Sequence, residues 1–230
     1  MRLGEMPAEN FMCQNYPKKT KGTSAGENSI SSACSPKSFR IFAIPIPVDG
    51  PHKMKEIEAK VLEISPDEIK SKLEVLGAHF DFEDDFFAIY YDDADARLAG
   101  QQQVLRIRKE GKDLRMTFKA PHVDTQAGIR TREELEVSFD DFEMMRVILQ
   151  RLGYVEYLKM RKIRTQYSIG KVHIVIDAHI DDLAFIPPYL EIEAPSHDEL
   201  FAMADLLGIA REVLIDWNAA RVMAYYQGRG

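Results

Sequence analysis

Between Lys55 and Ala194, nearly every stretch with strand character carries charged side chains on one face and apolar ones on the other. In a β-strand, residues i and i+2 point to the same side. Glu56, Glu58 and Lys60 therefore share a face, against Ile57, Ala59 and Val61. Arg106 and Arg108 stand opposite Leu105 and Ile107, and Arg115, Thr117 and Lys119 opposite Leu114, Met116 and Phe118. Arg130, Arg132, Glu134 and Glu136 oppose Ile129, Leu135 and Val137, with Thr131 and Glu133 interrupting the apolar side. Lys162 and Arg164 oppose Ile163, Asp177 opposes Ile174 and Ile176, and Glu191 and Glu193 oppose Leu190, Ile192 and Ala194.

An antiparallel sheet with one wet face gives such alternation. Three features point further. The charged face uses almost no Ser, Thr, Asn or Gln as filler. Paired arginines suit bidentate capture of phosphate oxygens. The acids come as Glu-x-Glu pairs, which suit hard divalent cations. The tetrapeptide EIEA occurs twice, at Glu56–Ala59 and Glu191–Ala194, and each copy sets two carboxylates side by side that need a counter-charge. If the sheet closes into a barrel, the charged face can be the inside. A cationic clamp then lies beside an acidic metal nest, the equipment for a polyphosphate with Mg²⁺ or Mn²⁺.

The punctuation predicts an antiparallel α+β plan. Strands are expected at 55–63, Phe86–Tyr91, Gln103–Glu110, Leu114–Ala120, Gly128–Phe139, 160–168, 171–180 and 189–194. Ser65 as N-cap, Pro66 at N1 and Glu68 in a capping box open a helix that stops at Gly77. Further capped helices are expected at Asp140–Gly153 and Ser196–Gly208, with a terminal helix to about Tyr226.

Residues 1–53 differ: they are rich in Ser, Gly, Lys and Pro and show neither period, so they are expected to be a disordered leader or an upstream extension. The folded unit is expected to span 54–230. Both cysteines, Cys13 and Cys34, lie in the leader, which leaves no thiol chemistry beyond it and points to a reducing, cytoplasmic setting. Residues 54–230 carry 23 Lys/Arg against 33 Asp/Glu, which argues against nucleic acid as a partner. No apolar run approaches the roughly 20 residues of a membrane span.

Seven motifs, in order, resemble the CYTH superfamily of triphosphate tunnel metalloenzymes: EIEAK at 56–60 (ExExK), LRIRKE at 105–110 (RxR), TFKAP at 117–121, REELE at 132–136 (RxExE), KIRTQY at 162–167 (KxRxxY), IVIDAHIDDL at 174–183 and YLEIEA at 189–194. One departure is the Pro187–Pro188 pair, where that family usually has a glycine before an aromatic. The resemblance implies an antiparallel eight-stranded closed β-tunnel with helices packed outside. It implies Arg106, Arg108, Lys119, Arg132, Lys162 and Arg164 as phosphate ligands. Glu56, Glu58, Glu191 and Glu193 would be metal ligands, with Glu134, Glu136 and Asp177 as further candidates. Lys60, Lys162 and Asp177 are the candidate catalytic residues, Lys60 more as a structural or phosphate contact than as a base.

Three functions remain open on the residues. Water attacks, and inorganic triphosphate, thiamine triphosphate or an NTP is hydrolysed. The 3′-OH of ATP attacks its α-phosphate, giving cyclic AMP and pyrophosphate, as in CyaB-type class IV adenylyl cyclases. Or the domain binds polyphosphate or nucleotide without turnover, a reading that the two intact Glu-x-Glu pairs disfavour. Hydrolysis demands least of the site and is the favoured reading. Arg115 and Arg130 read as exposed strand ends, His173 and His179 as packing or surface residues, and Phe86–Asp92 as barrel packing. Trp217, Tyr225 and Tyr226 read as helix packing or as a contact within a homodimer.

Overall fold

The computed structural model describes residues 53–126 and 128–228. The expectations for residues 1–52 lie outside them.

Eight antiparallel strands close into a barrel in the order β1-β5-β4-β3-β2-β6-β7-β8. They are β1 (Lys53–Val61), β2 (His79–Asp92), β3 (Val104–Glu110), β4 (Asp113–Gln126), β5 (Ile129–Ser138), β6 (Val155–Ile169), β7 (Val172–His179) and β8 (Tyr189–Glu193). Five helices accompany them: α1 (Pro66–Val75), α2 (Arg97–Gly100), α3 (Phe142–Arg151), α4 (His197–Leu206) and α5 (Ala219–Gln227). The fold is the expected α+β tunnel. Several strands run longer than expected, and α2 and two 3₁₀ turns, at Asp181–Leu183 and Arg211–Val213, were not anticipated. The first turn contains Asp181 and Asp182.

Caps set the helix starts. The side chains of Ser65, Asp141, Ser196 and Asn218 accept from backbone N–H groups at Glu68, Met144, Glu199 and Arg221, satisfying donors that the first turn leaves orphaned.

The barrel turns its charged side inward, so its apolar side needs cover. On β1, β5, β7 and β8, Ile57, Ala59, Ile129, Ile174, Ile176, Leu190 and Ile192 pack against Ile69 and Leu73 of α1, Leu200, Met203 and Ala204 of α4 and its C-cap Leu207. On β2 and β3, Ile89, Tyr91, Leu105 and Ile107 pack against Phe142, Met145 and Leu149 of α3. Each fully buried aliphatic or aromatic side chain contributes roughly 1.5–3 kcal/mol. This shell offsets the cost of burying so many charges inside.

Helix α5 covers one end. Val222, Met223 and Tyr226 pack with Ala88, Tyr90, Met160 and Tyr189. Trp217 is edge-on to Tyr225 in the same cluster. The Phe86–Asp92 segment divides: Phe87, Ile89 and Tyr91 face α3, whereas Phe86 and Tyr90 face inward.

Candidate active site

The bore is a cavity of about 810 Å³. Its lining includes Lys60, Arg106, Arg108, Lys119, Arg132, Lys162 and Arg164, together with Glu58, Glu110, Glu134, Glu136, Glu191 and Glu193. Strand register assembles them: Glu58 lies opposite Glu193 and Lys60 opposite Glu191, while Arg164 lies opposite Asp177. Both EIEA copies thus stand on adjacent strands of one wall.

Charges in the bore are neutralised in pairs. Lys60 Nζ is 2.6 Å from Glu191 Oε1 and 3.7 Å from Glu58 Oε1. Arg132 reaches Glu58 at 3.5 Å, and Lys119 reaches Glu134 at 2.8 Å. Arg164 donates to both oxygens of Asp177 at 2.9 Å and to Glu191 at 3.1 Å. Lys162 donates to the same Asp177 carboxylate. Glu136 accepts from Arg108, Arg115 and Thr117 at 3.0, 2.6 and 3.0 Å.

These partners dictate protonation. Burial alone would raise Asp177, but Arg164 and Lys162 hold its carboxyl below the usual range. Glu191 is held well below its range by Lys60, Lys162 and Arg164, again against burial. Burial and then Arg164 push the Lys162 ammonium down, while Asp177 and Glu191 pull it back. Tyr90 is buried, yet Arg106 and Lys162 pull its phenol below the ordinary value.

Three of the seven metal-ligand candidates converge. Among the described residues, Glu58, Glu191 and Glu193 each bring one carboxylate oxygen within 4.8 Å of the others. Three hard oxygen donors suit a divalent cation such as Mg²⁺ or Mn²⁺, whose remaining positions water or phosphate fills. Glu134, Glu136 and Asp177 lie outside this group, each paired with cationic side chains, as Glu58 and Glu191 also are. Glu56 lies opposite Arg132 in the β1–β5 register; its side chain, like that of Arg130, is outside the described residues. Arg115 is 39% exposed at its side chain but paired to Glu136, so it joins the mouth of the bore rather than standing as a bare strand end.

Four features escaped the sequence reading. Glu110 extends the Arg106–Arg108 face and lies 3.6 Å from Arg108 and 3.8 Å from Arg164. The parity of RxRxE could have shown it. The Phe86 ring lies under four cations, with Lys162 at 4.7 Å, Arg164 at 4.8 Å and Arg106 and Arg108 at 6.0 Å. Cation–π contacts of this kind hold ammonium and guanidinium groups without neutralising them. Tyr189 adds a second ring, 5.7 Å from Lys162. Thr117 fixes Glu136. His179 is buried against Tyr189, with ring centroids 5.6 Å apart, whereas His173 is exposed near Gln166.

Comparison with known proteins agrees with this geometry. The CYTH domain matches residues 54–218, and the chain belongs to that family. A Methanocaldococcus jannaschii protein named "putative adenylate cyclase" is 34% identical over 148 residues, 63% of this chain and 79% of that one. The solved structure of the Pyrococcus horikoshii protein PH1012 is 22% identical, with a TM-score of 0.61, covering 73% of this chain and 98% of its own. A Hippeastrum protein described as a "putative adenylyl cyclase" with a dominant triphosphatase activity is 16% identical, with a TM-score of 0.54, covering 75% of this chain and 96% of that one. These structural likenesses concern the fold. No helix among the described residues is long and apolar enough to cross a membrane.

Proposed function

We propose that this chain is a divalent-metal-dependent triphosphatase that hydrolyses a phosphoanhydride inside the bore, converting a triphosphate and water to a diphosphate and orthophosphate. The observation that carries the reading is the convergence of Glu58, Glu191 and Glu193 in one cavity lined also by Lys60, Arg106, Arg108, Lys119, Arg132, Lys162 and Arg164. That arrangement suits a ligand with many phosphate oxygens, and membership of a family that includes triphosphatases and adenylyl cyclases supports it.

Glu58, Glu191 and Glu193 would hold a divalent cation, which would supply charge neutralisation for phosphate oxygens. The protein's own groups do the rest. Arg106, Arg108, Lys119 and Arg132 bind the phosphate chain, giving up part of their contact with Glu134, Glu136 and Glu58. Lys162 and Arg164, fixed by Asp177, present fixed positive charge to the oxygens that gain charge in the transition state. Burial excludes competing water from this clamp, so each contact acts at low local dielectric.

The second reading is cyclisation of ATP to cyclic AMP and pyrophosphate, favoured by the name of the M. jannaschii relative. The test is to incubate the full chain with Mg²⁺ or Mn²⁺ and either inorganic triphosphate or ATP, and to resolve the products. Orthophosphate from triphosphate supports hydrolysis. Cyclic AMP with pyrophosphate from ATP gives the reading to the cyclase. Binding without either product leaves a non-catalytic domain.

A further inference from the structure

Helix α3 is apolar on two sides. Phe142, Met145 and Leu149 face the barrel. Met144, Val147 and Ile148, with Leu152 at the C-cap, face away and are 55%, 46%, 44% and 69% exposed. Their spacing of i, i+3, i+4 and i+8 lines them up in one stripe, on the order of 12 Å long. Val137, at the end of β5 before this helix, is also exposed. The other two ten-residue helices on the barrel wall expose one large apolar side chain each, Val75 on α1 and Leu206 on α4, beside charged residues such as Asp67, Glu68, Lys72 and Glu74. A four-residue apolar stripe on a solvent-facing helix marks an interaction surface.

The charges at its ends select the occupant. Glu143, 74% exposed at its side chain and paired on one oxygen with Arg146 at 2.8 Å, flanks the stripe near the start of α3 with its other oxygen open to a second cation, and exposed Arg151 flanks it at the end. In an antiparallel pairing of α3 with its own copy, centred on Val147, Glu143 comes level with the partner's Arg151, and this occurs twice by symmetry. A parallel pairing would set glutamate against glutamate and align the two helix dipoles unfavourably. The apolar centre and the charged ends are therefore self-complementary in one orientation. Because α3 lies on the outer wall of β2 and β3, two copies joined there leave both bores accessible.

We propose that α3 is a homodimerisation surface. Two copies of this chain pair antiparallel through Met144, Val147, Ile148 and Leu152, with Glu143 against the partner's Arg151 at each end. The inference is independent of the reaction in the bore.

Sedimentation velocity on the full chain across micromolar concentrations tests it. The wild type sediments as a dimer, and Val147→Glu sediments as a monomer whose melting temperature matches that of the wild type diluted until it is monomeric, since the residue is exposed in the single chain. Glu143→Arg and Arg151→Glu each weaken the dimer about 5- to 10-fold, and the double variant restores it. Val147→Cys, in a chain with Cys13→Ser and Cys34→Ser, forms a disulfide-linked dimer on mild oxidation, because position 147 lies on the two-fold axis. A wild type that stays monomeric overturns the proposal. So does a dimer that Val147→Glu leaves intact. A monomeric wild type that Val147→Glu destabilises also overturns it, and assigns the stripe to residues 1–52 instead.

Discussion

Lys60 Nζ lies 2.6 Å from Glu191 Oε1, so the first strand of the barrel is tied to the last by an ion pair inside the bore. The repeated tetrapeptide explains itself through this contact. Glu58, Glu191 and Glu193 meet on one wall, and a lysine in the same motif offsets part of their repulsion.

Removing that lysine leaves buried carboxylates without their counter-charge. Lys60→Met lowers the unfolding free energy by about 3–5 kcal/mol in the absence of divalent metal. Saturating Mg²⁺ or Mn²⁺ recovers part of the loss, because a cation between Glu58 and Glu191 takes over the neutralisation. Urea unfolding with and without metal checks both statements. A deficit unchanged by metal contradicts them.

Asp177 and Glu193 separate scaffold from ligand. Asp177 is fully buried and holds Lys162 and Arg164, so Asp177→Asn costs about 3–5 kcal/mol of stability. Glu193 stands in the three-glutamate group, so Glu193→Gln stays within about 1 kcal/mol of the wild type in stability while weakening divalent-metal binding at least tenfold. Calorimetric titration with Mn²⁺, beside urea unfolding, distinguishes the two effects.

His179 sets the pH dependence of stability above the carboxylate range. Burial, then the Lys162 charge, push its pKa down to about 4, and its Nδ1 is buried without a hydrogen-bond partner. The unfolded chain takes up a proton near pH 6.5 that the folded chain refuses until about pH 4. Stability is therefore full above about pH 6.5 and falls by about 3 kcal/mol as the pH drops toward 4. Asp177 and Glu191, whose pKa values are lowered, lose their contribution only at more acidic pH. Unfolding free energies measured from pH 7.5 to 4.5 should slope less in His179→Gln than in the wild type. Equal slopes would contradict the assignment.

Gly128 is the glycine the fold cannot replace. Its φ is +77°, and a Cβ placed there would lie 2.0 Å from the Leu214 carbonyl oxygen, which belongs to the segment that pairs Ile215 with Lys60. Gly128→Ala is expected to lower the melting temperature by roughly 5–10 °C. At Gly111 the obstacle is the end of an exposed Asp84 side chain, which can rotate away, so Gly111→Ala is expected to cost only about 1 kcal/mol. Thermal unfolding of both variants tests the contrast.

The faces of the strands were legible because period-2 alternation survives wherever both sides of a sheet are buried in different company. The lengths were not. β2 begins at His79, not Phe86, and its first half is carried by polar bonds across strands: Gln166 and Ser168 donate to Asp81, and Thr165 donates to Glu83. Helix α2 left no local mark because its cap is remote, the buried Asp92 carboxylate accepting from the N–H groups of Leu98 and Ala99. The sequence offered seven carboxylates as metal ligands. Which three converge is set by the β1–β8 register, which places Glu58 opposite Glu193 and Glu191 one pair away, opposite Lys60, and that pairing exists only once the barrel has closed.

The most direct test of the central claim is orthophosphate release from inorganic triphosphate, followed as Mg²⁺ or Mn²⁺ is titrated into wild type and into the Glu58→Gln, Glu193→Gln double variant. The account predicts no release without divalent metal, saturable release with it, and a loss of at least a hundredfold in the variant, on the order of 3 kcal/mol in the barrier. Release that proceeds in the presence of excess chelator, or that survives in the double variant, would contradict it.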